Sequence, residues 1–249
     1  MFRFAPTRYD LQFSLFGVPV RVHPLHWLLG VYLGATSGDP IQIPIWIGVI
    51  FFSILLHEFG HSMAMRRFGW DSYIVLHMLG GYAVPTSSRG GRNRDTSRTW
   101  LEQVIISLAG PFSQFLFAAL ILAGVLAAGG FVFRGSLAGF IPFPVAFLPI
   151  ENPIAESIID KLIYVNIFWG LFNLLPVIPM DGGRVAQAIF VRFDPWNGVT
   201  NALWLSVLTG TIFAVIGFVW WRSIFMAFLF GSFAVQSYQM LKYGGGRTF

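Results

Sequence analysis

The sequence predicts an α-helical polytopic membrane protein with about six transmembrane helices and a small membrane re-entrant β-hairpin at the cytoplasmic side. Three observations carry this reading. Of 249 residues, 55% are hydrophobic, 17% aromatic and only 11% charged, a balance foreign to ordinary soluble domains. Long apolar stretches recur at roughly the 20-residue length that a bilayer core requires. The basic residues, moreover, fall unevenly on the two sides of those stretches.

Taken in order, Phe13 to His23 alternates Val18, Val20 and Val22 with Pro19, Arg21 and His23, the period of a strand at the membrane surface. Pro24 opens an apolar segment, Leu25 to Thr36, that is short for a span. After the turn Ser37-Gly38-Asp39-Pro40, Ile41 to Phe68 is long enough to cross and protrude, at about 42 Å if helical. It ends at Arg66-Arg67. Residues 73–84 are apolar and β-prone around Gly80-Gly81, which reads as a hairpin dipping back into the membrane where protein shelters it. Thr86 to Arg98, with four arginines, reads as a solvated loop.

Leu101 to Ala128 forms the next span, with a kink expected at Gly110-Pro111. Phe131 to Pro153 is apolar but carries Pro142, Pro144, Pro149 and Pro153, so an interfacial lid is expected there and no spanning helix. Ser157 to Leu175, Thr200 to Trp220 and Ser223 to Leu241 complete six spans. Between the first two of these, Pro176 and Pro179 break the helix and leave Asp181 on irregular backbone. With six spans, 13 of the 16 basic residues lie on the side of the termini, and Arg134, Lys161 and Arg222 lie opposite. Both termini are therefore expected in the cytoplasm of a multi-pass protein of the plasma membrane. The net charge of +5 reports this orientation, and no nucleic-acid partner is expected.

No cysteine is present, which excludes disulfides, thiolate metal sites and a Cys nucleophile. The chemistry concentrates at His57-Glu58-Phe59-Gly60-His61. Two imidazoles four residues apart share one helix face and can reach one Zn²⁺ at about 2.0 to 2.1 Å. Glu58, about 100° around the helix from His57, can stay unligated and accept a proton from a water on the metal. The cluster lies at or within a span, where ionisable groups are expensive and functional. A catalytic zinc takes three protein ligands and leaves a fourth position open.

With His57-Glu58-x-x-His61 in one span and Asn173-x-x-Pro176-x-x-Pro179-x-Asp181-Gly182-Gly183 after another, the chain resembles the site-2 protease family of intramembrane zinc metalloproteases. Gly17 to His23 looks like that family's N-terminal strand, Leu79-Gly80-Gly81 like its re-entrant hairpin, and Ala109-Gly110-Pro111 like a segment of its third span. Gln114 stands where Asn is common. The resemblance implies that His57, His61 and Asp181 bind one Zn²⁺ per chain, that Glu58 is the general base and that Asn173 holds the scissile peptide or its oxyanion. A single integral-membrane domain over residues 1–249 is expected, with no soluble accessory module, a departure from the many members of that family that carry PDZ or nucleotide-sensing modules. Its substrate would be a transmembrane protein or peptide, held at the hairpin around Gly80, Gly81 and Tyr82, and its second partner the lipid bilayer.

Simpler roles stand beside these. Asp181 could cap a helix starting at Gly182, His77 could pack, His23 and His26 could be interfacial, and Arg184 could be a topology charge. A metal-ion transporter and a catalytically inactive, protease-like binder are the competing functions. The first would repeat its ligands along a path through several spans.

Overall fold

In a computed structural model, the described residues are 6–78, 80–88, 99–137, 141–147 and 152–243, with the side chains of 87, 88, 134, 136, 137 and 141–143 left aside. The arginines of the expected loop 89–98, the tail glycines 244–246 and Leu79 lie outside them. The chain forms two compact units, Met1–Thr96 with Ala109–Gly170, and Ser97–Leu108 with Leu171–Phe249.

In the first unit, β1 (Leu11–Leu15), β2 (Val18–Val22), β3 (Trp70–His77) and β4 (Gly80–Ser88) form one sheet in the order β1-β2-β3-β4. The strand expected over 13–23 is in fact a hairpin. Phe16 and Gly17 both take positive φ, 48° and 77°, the requirement of a two-residue turn of type I′. The apolar positions are odd in β1 (Leu11, Phe13, Leu15) and even in β2 (Val18, Val20, Val22), so the side-chain period shifts phase at the reversal. Arg66 Nη1 donates to Phe16 O at 2.8 Å, tying this turn to the end of the motif helix. β2 pairs with β3 in parallel and β3 with β4 antiparallel. The second hairpin is longer than the expected 73–84, and its reversal falls at Met78, so Gly80 and Gly81 belong to β4.

The parallel crossover from β2 to β3 passes through α1 (Trp27–Ala35) and α2 (Gln42–Arg67). Helix α1 has 9 residues, about 13.5 Å, less than half of a ~30 Å hydrocarbon core. It lies tightly on α2. A Cβ at Gly30 would come within 2.6 Å of Ile47 Cα, and one at Gly34 within 2.4 Å of Ile43 Cα, so a small-xxx-small face permits the approach. Val18, Val20, Val22, Ile74 and Leu76 form one core with Ile50, Ile54 and Leu55 of α2. The sheet is thereby fixed against the half of α2 that carries the motif.

Helix α3 (Trp100–Ala127) continues through Pro111. The lid expected over 131–153 contains a regular antiparallel hairpin, β5 (Phe131–Leu137) with β6 (Ile141–Phe147). Phe131, Phe133 and Phe147 cluster on its outer side, while Ala146 packs inward with Val125 and Ile163. The prolines suit the pairing because a two-stranded ribbon is all edge. Helix α4 (Pro153–Asn173) carries Glu156, Asp160 and Lys161. Lys161 donates to Ser157 Oγ at 2.7 Å and lies over the Trp46 ring.

In the second unit, α5 (Asp181–Phe193), α6 (Gly198–Val219) and α7 (Ile224–Tyr243) follow one another. Gly210 and Gly217 admit α7 closely against α6, facing Ala234 and Met226. Among the described residues four helices are long and apolar enough to cross a membrane: α2, α3, α6 and α7.

Candidate metal centre

Helix α2 places His57 and His61 one turn apart, 3% and 7% exposed. Their Nε2 atoms lie 3.1 Å from each other. Two bonds of about 2.05 Å from one zinc ion would span that separation at an angle near 100°, close to tetrahedral. Room for such an ion depends on Gly110 of α3. A Cβ there would come within 2.4 Å of His61 Nε2 and 2.8 Å of His57 Nε2. The same two helices approach at Gly60, whose Cβ would meet Ala109 O at 2.5 Å, while Ser113 Oγ donates to Leu56 O at 3.1 Å.

The outer nitrogen of His57 is also engaged, with Nδ1 lying 2.9 Å from Gln114 Oε1. Gln114, visible in the sequence only as a departure from a motif, is fully buried. Its signal was its spacing: as residue i+4 from Gly110 it shares that glycine's helix face.

Glu58 is 5% exposed. The β4 backbone runs directly over it, since a Cβ at Gly81 would sit 2.6 Å from Glu58 Cγ and 2.9 Å from Oε1. Gly81 pairs with Leu76, whose side chain faces α2, whereas Tyr82 pairs with Val75 and presents its ring to His77 on the other face, 5.5 Å between centroids. Gly80 sits at φ 132° near Trp169. Gly81 thus meets the candidate base, and the Tyr82 side chain does not.

In the second unit, Asp181 is 7% exposed and is the first residue of α5, after Met180 as N-cap. The irregular backbone expected there ends one residue earlier, because Gly182 and Gly183 let the helix start directly beneath the preceding turn. Cβ atoms at these two positions would lie 2.0 Å from Leu174 O and 2.6 Å from Val177 C. Ser206 Oγ accepts from Ile178 N at 2.8 Å and bonds Ser237 Oγ, anchoring the turn. Asn173 closes α4 and is half-buried. His23 and His26, expected at an interface, are instead 9% and 1% exposed. His23 Nδ1 accepts from Leu25 N, and His26 Nδ1 faces His77 O at 3.1 Å.

His57, His61 and Asp181 each offer a ligand atom, all within 4.8 Å of one another, and form the potential metal-binding group among the described residues. Two imidazoles and one carboxylate are the donors of a catalytic zinc site with one position left open.

Known proteins are similar to this chain over most of its length. A relative from Synechocystis is 28% identical over 191 residues, 71% of this chain and 42% of its own length. A zinc metalloprotease of Methanocaldococcus jannaschii is 26% identical over 184 residues, 72% of this chain and 45% of its own. The chain thus spans less than half the length of these relatives. Its fold is similar to that of the solved site-2 protease from Methanocaldococcus jannaschii, with a TM-score of 0.55 and 20% identity over 97% of both chains. Residues 45–216, well over half of the chain, match peptidase family M50, and the protein belongs to that family, as its two motifs implied.

Proposed function

We propose that the protein is an intramembrane zinc endopeptidase that hydrolyses peptide bonds in or near transmembrane segments of membrane-protein substrates. The observation that supports it most directly is the buried His57, His61 and Asp181 group, with Glu58 adjoining on the same helix. When bound, zinc supplies an acidified water and a Lewis acid for the scissile carbonyl. His57, His61 and Asp181 hold the ion. Glu58, not itself a ligand, accepts the proton on its carboxylate and returns it to the leaving amine. Asn173 donates its side-chain amide to the developing oxyanion or positions the scissile peptide.

A helical substrate must unwind before its peptide bonds can react, and each freed backbone group needs a partner in a low-dielectric setting. Among the described residues β4 is an edge strand of the sheet, and such an edge can supply partners by strand addition. Gly81 brings that edge against Glu58. The uneven basic residues support a reading of an integral membrane protein with both termini in the cytoplasm. A transporter would need a succession of ligand groups, whereas the described residues hold one.

The test is Glu58→Gln in detergent-solubilised protein. Zinc should remain at about one per chain while cleavage of a transmembrane peptide is abolished, because the base is not a ligand. Loss of zinc from this variant would make Glu58 a ligand and overturn the assignment.

A further inference from the structure

The buried polar groups behind His57 are linked in a way that determines which of its nitrogens can bind a metal. Gln114 Nε2 lies 3.2 Å from the backbone carbonyl of Ser53. A carbonyl can only accept, so the amide NH₂ of Gln114 must face Ser53 and Oε1 must face the other way. Oε1 is 2.9 Å from His57 Nδ1, and it too can only accept. His57 Nδ1 therefore carries the proton and Nε2 carries the lone pair. Nε2 is the atom that faces His61 across 3.1 Å.

The side chain of the same Ser53 is engaged by a third helix. Ser53 Oγ accepts from Asn166 Nδ2 at 3.0 Å, and the same Asn166 nitrogen donates to Leu162 O at 2.8 Å. Ser53, Gln114 and Asn166 are all fully buried, so solvent cannot exchange for any of these bonds. A shell of this kind fixes ring orientation and tautomer and raises the basicity of the ligating nitrogen.

We infer that Gln114 is the positioning residue of the metal centre: it locks His57 as the Nδ1–H tautomer and aims Nε2 at the ion, with the Ser53 carbonyl fixing which way its amide faces. This rests on the metal-centre reading above, and the experiment separates the two. Protein labelled with ¹⁵N in its five histidines is examined by NMR in detergent without zinc, with the His57 signal assigned by its loss in His57→Gln. His57 should show the Nδ1–H pattern before any metal is added. Zinc affinity is then measured by chelator competition.

Gln114→Leu removes the acceptor, so His57 should become a mixture of tautomers and zinc affinity should fall roughly 10- to 100-fold. Gln114→Glu keeps an acceptor for His57 but no donor for Ser53, so its affinity should stay within a few-fold of the parent while its melting temperature falls. The inference is overturned by an Nε2–H tautomer in the zinc-free parent, or by parental zinc affinity in a folded Gln114→Leu protein. If Gln114→Leu does not fold, the parent's tautomer and the Gln114→Glu affinity decide. Failure of the parent to bind zinc, with His57 in the Nδ1–H form, would instead overturn the metal-centre reading.

Discussion

Gly110→Ala adds one methyl group where the structure has no space for it. The new carbon would sit 2.4 Å from His61 Nε2, 2.6 Å from His61 Cε1 and 2.8 Å from His57 Nε2. An unstrained contact needs about 3.5 Å, so His61 or the backbone must yield by about 1 Å. Zinc–nitrogen bonds tolerate only about ±0.2 Å. The variant can therefore keep at most part of its ligand set, and the loss should exceed that of disturbing an outer-shell partner, giving more than about a 100-fold weaker zinc affinity. Intrinsic helix propensity works in the opposite direction, since alanine is better than glycine by roughly 1 kcal/mol inside a helix. Without metal, the His61 ring can turn aside, so the zinc-free protein should melt no lower than the parent. Chelator competition gives the affinity and calorimetry of the zinc-free protein gives the stability. Zinc affinity within threefold of the parent would refute the claim that Gly110 keeps the ion's space open.

Gly81→Ala should leave zinc bound but lower peptide cleavage by more than tenfold, because its Cβ would displace Glu58, 2.6 Å away at Cγ; zinc content and turnover measured on one preparation check this. Asp181→Ala should weaken zinc binding as the loss of one of three protein ligands, and full affinity in a chelator titration would remove Asp181 from the proposed site.

Much of this was legible in the sequence because it rests on short periods. The four-residue spacing of His57 and His61 needs only a helix to become a pair of facing nitrogens, and β3 and β4 were expected from β-prone composition around a glycine pair. Tertiary features were not legible in this way. Gly80-Gly81 suggested a turn, yet Gly81 is required by the closeness of Glu58, a contact between residues 23 positions apart. Gln114 acts across 57 positions, and its i+4 spacing from Gly110 places it on the right helix face without showing which residue it meets. Helix α5 was legible only as the alternative in which Asp181 caps a helix starting at Gly182, and Val185, Ala188 and Ile189 carry its helical period within 181–193. The β1–β2 reversal was missed because Phe16 takes positive φ, a conformation that a bulky residue rarely adopts.

The proposed substrate edge can be tested with proline, and the strand pairing decides where. His23 N donates to Leu76 O at 2.9 Å, so the polar groups of Leu76 face β2. Alternation then turns Tyr73, Val75 and His77 toward β4, where they pair with Val84, Tyr82 and Gly80. Proline at Val75 or His77 would break the sheet's own ladder and says nothing about a substrate. The groups left facing outward on β4 belong to Gly81 and Ala83. Pro85 is next in that alternation, so its missing N–H interrupts the open edge and not the hairpin. Ala83→Pro removes one outward donor while the inward bonds of Tyr82 and Val84 survive. If substrates dock by strand addition, this variant should keep its zinc and its fold, with cleavage reduced about tenfold through the loss of one backbone hydrogen bond in a low-dielectric setting. A substrate with helix-breaking residues at its cut site should recover part of the loss, since less of its backbone then needs to be captured. Parental cleavage rates from a folded, zinc-replete Ala83→Pro protein would show that the substrate does not use this edge.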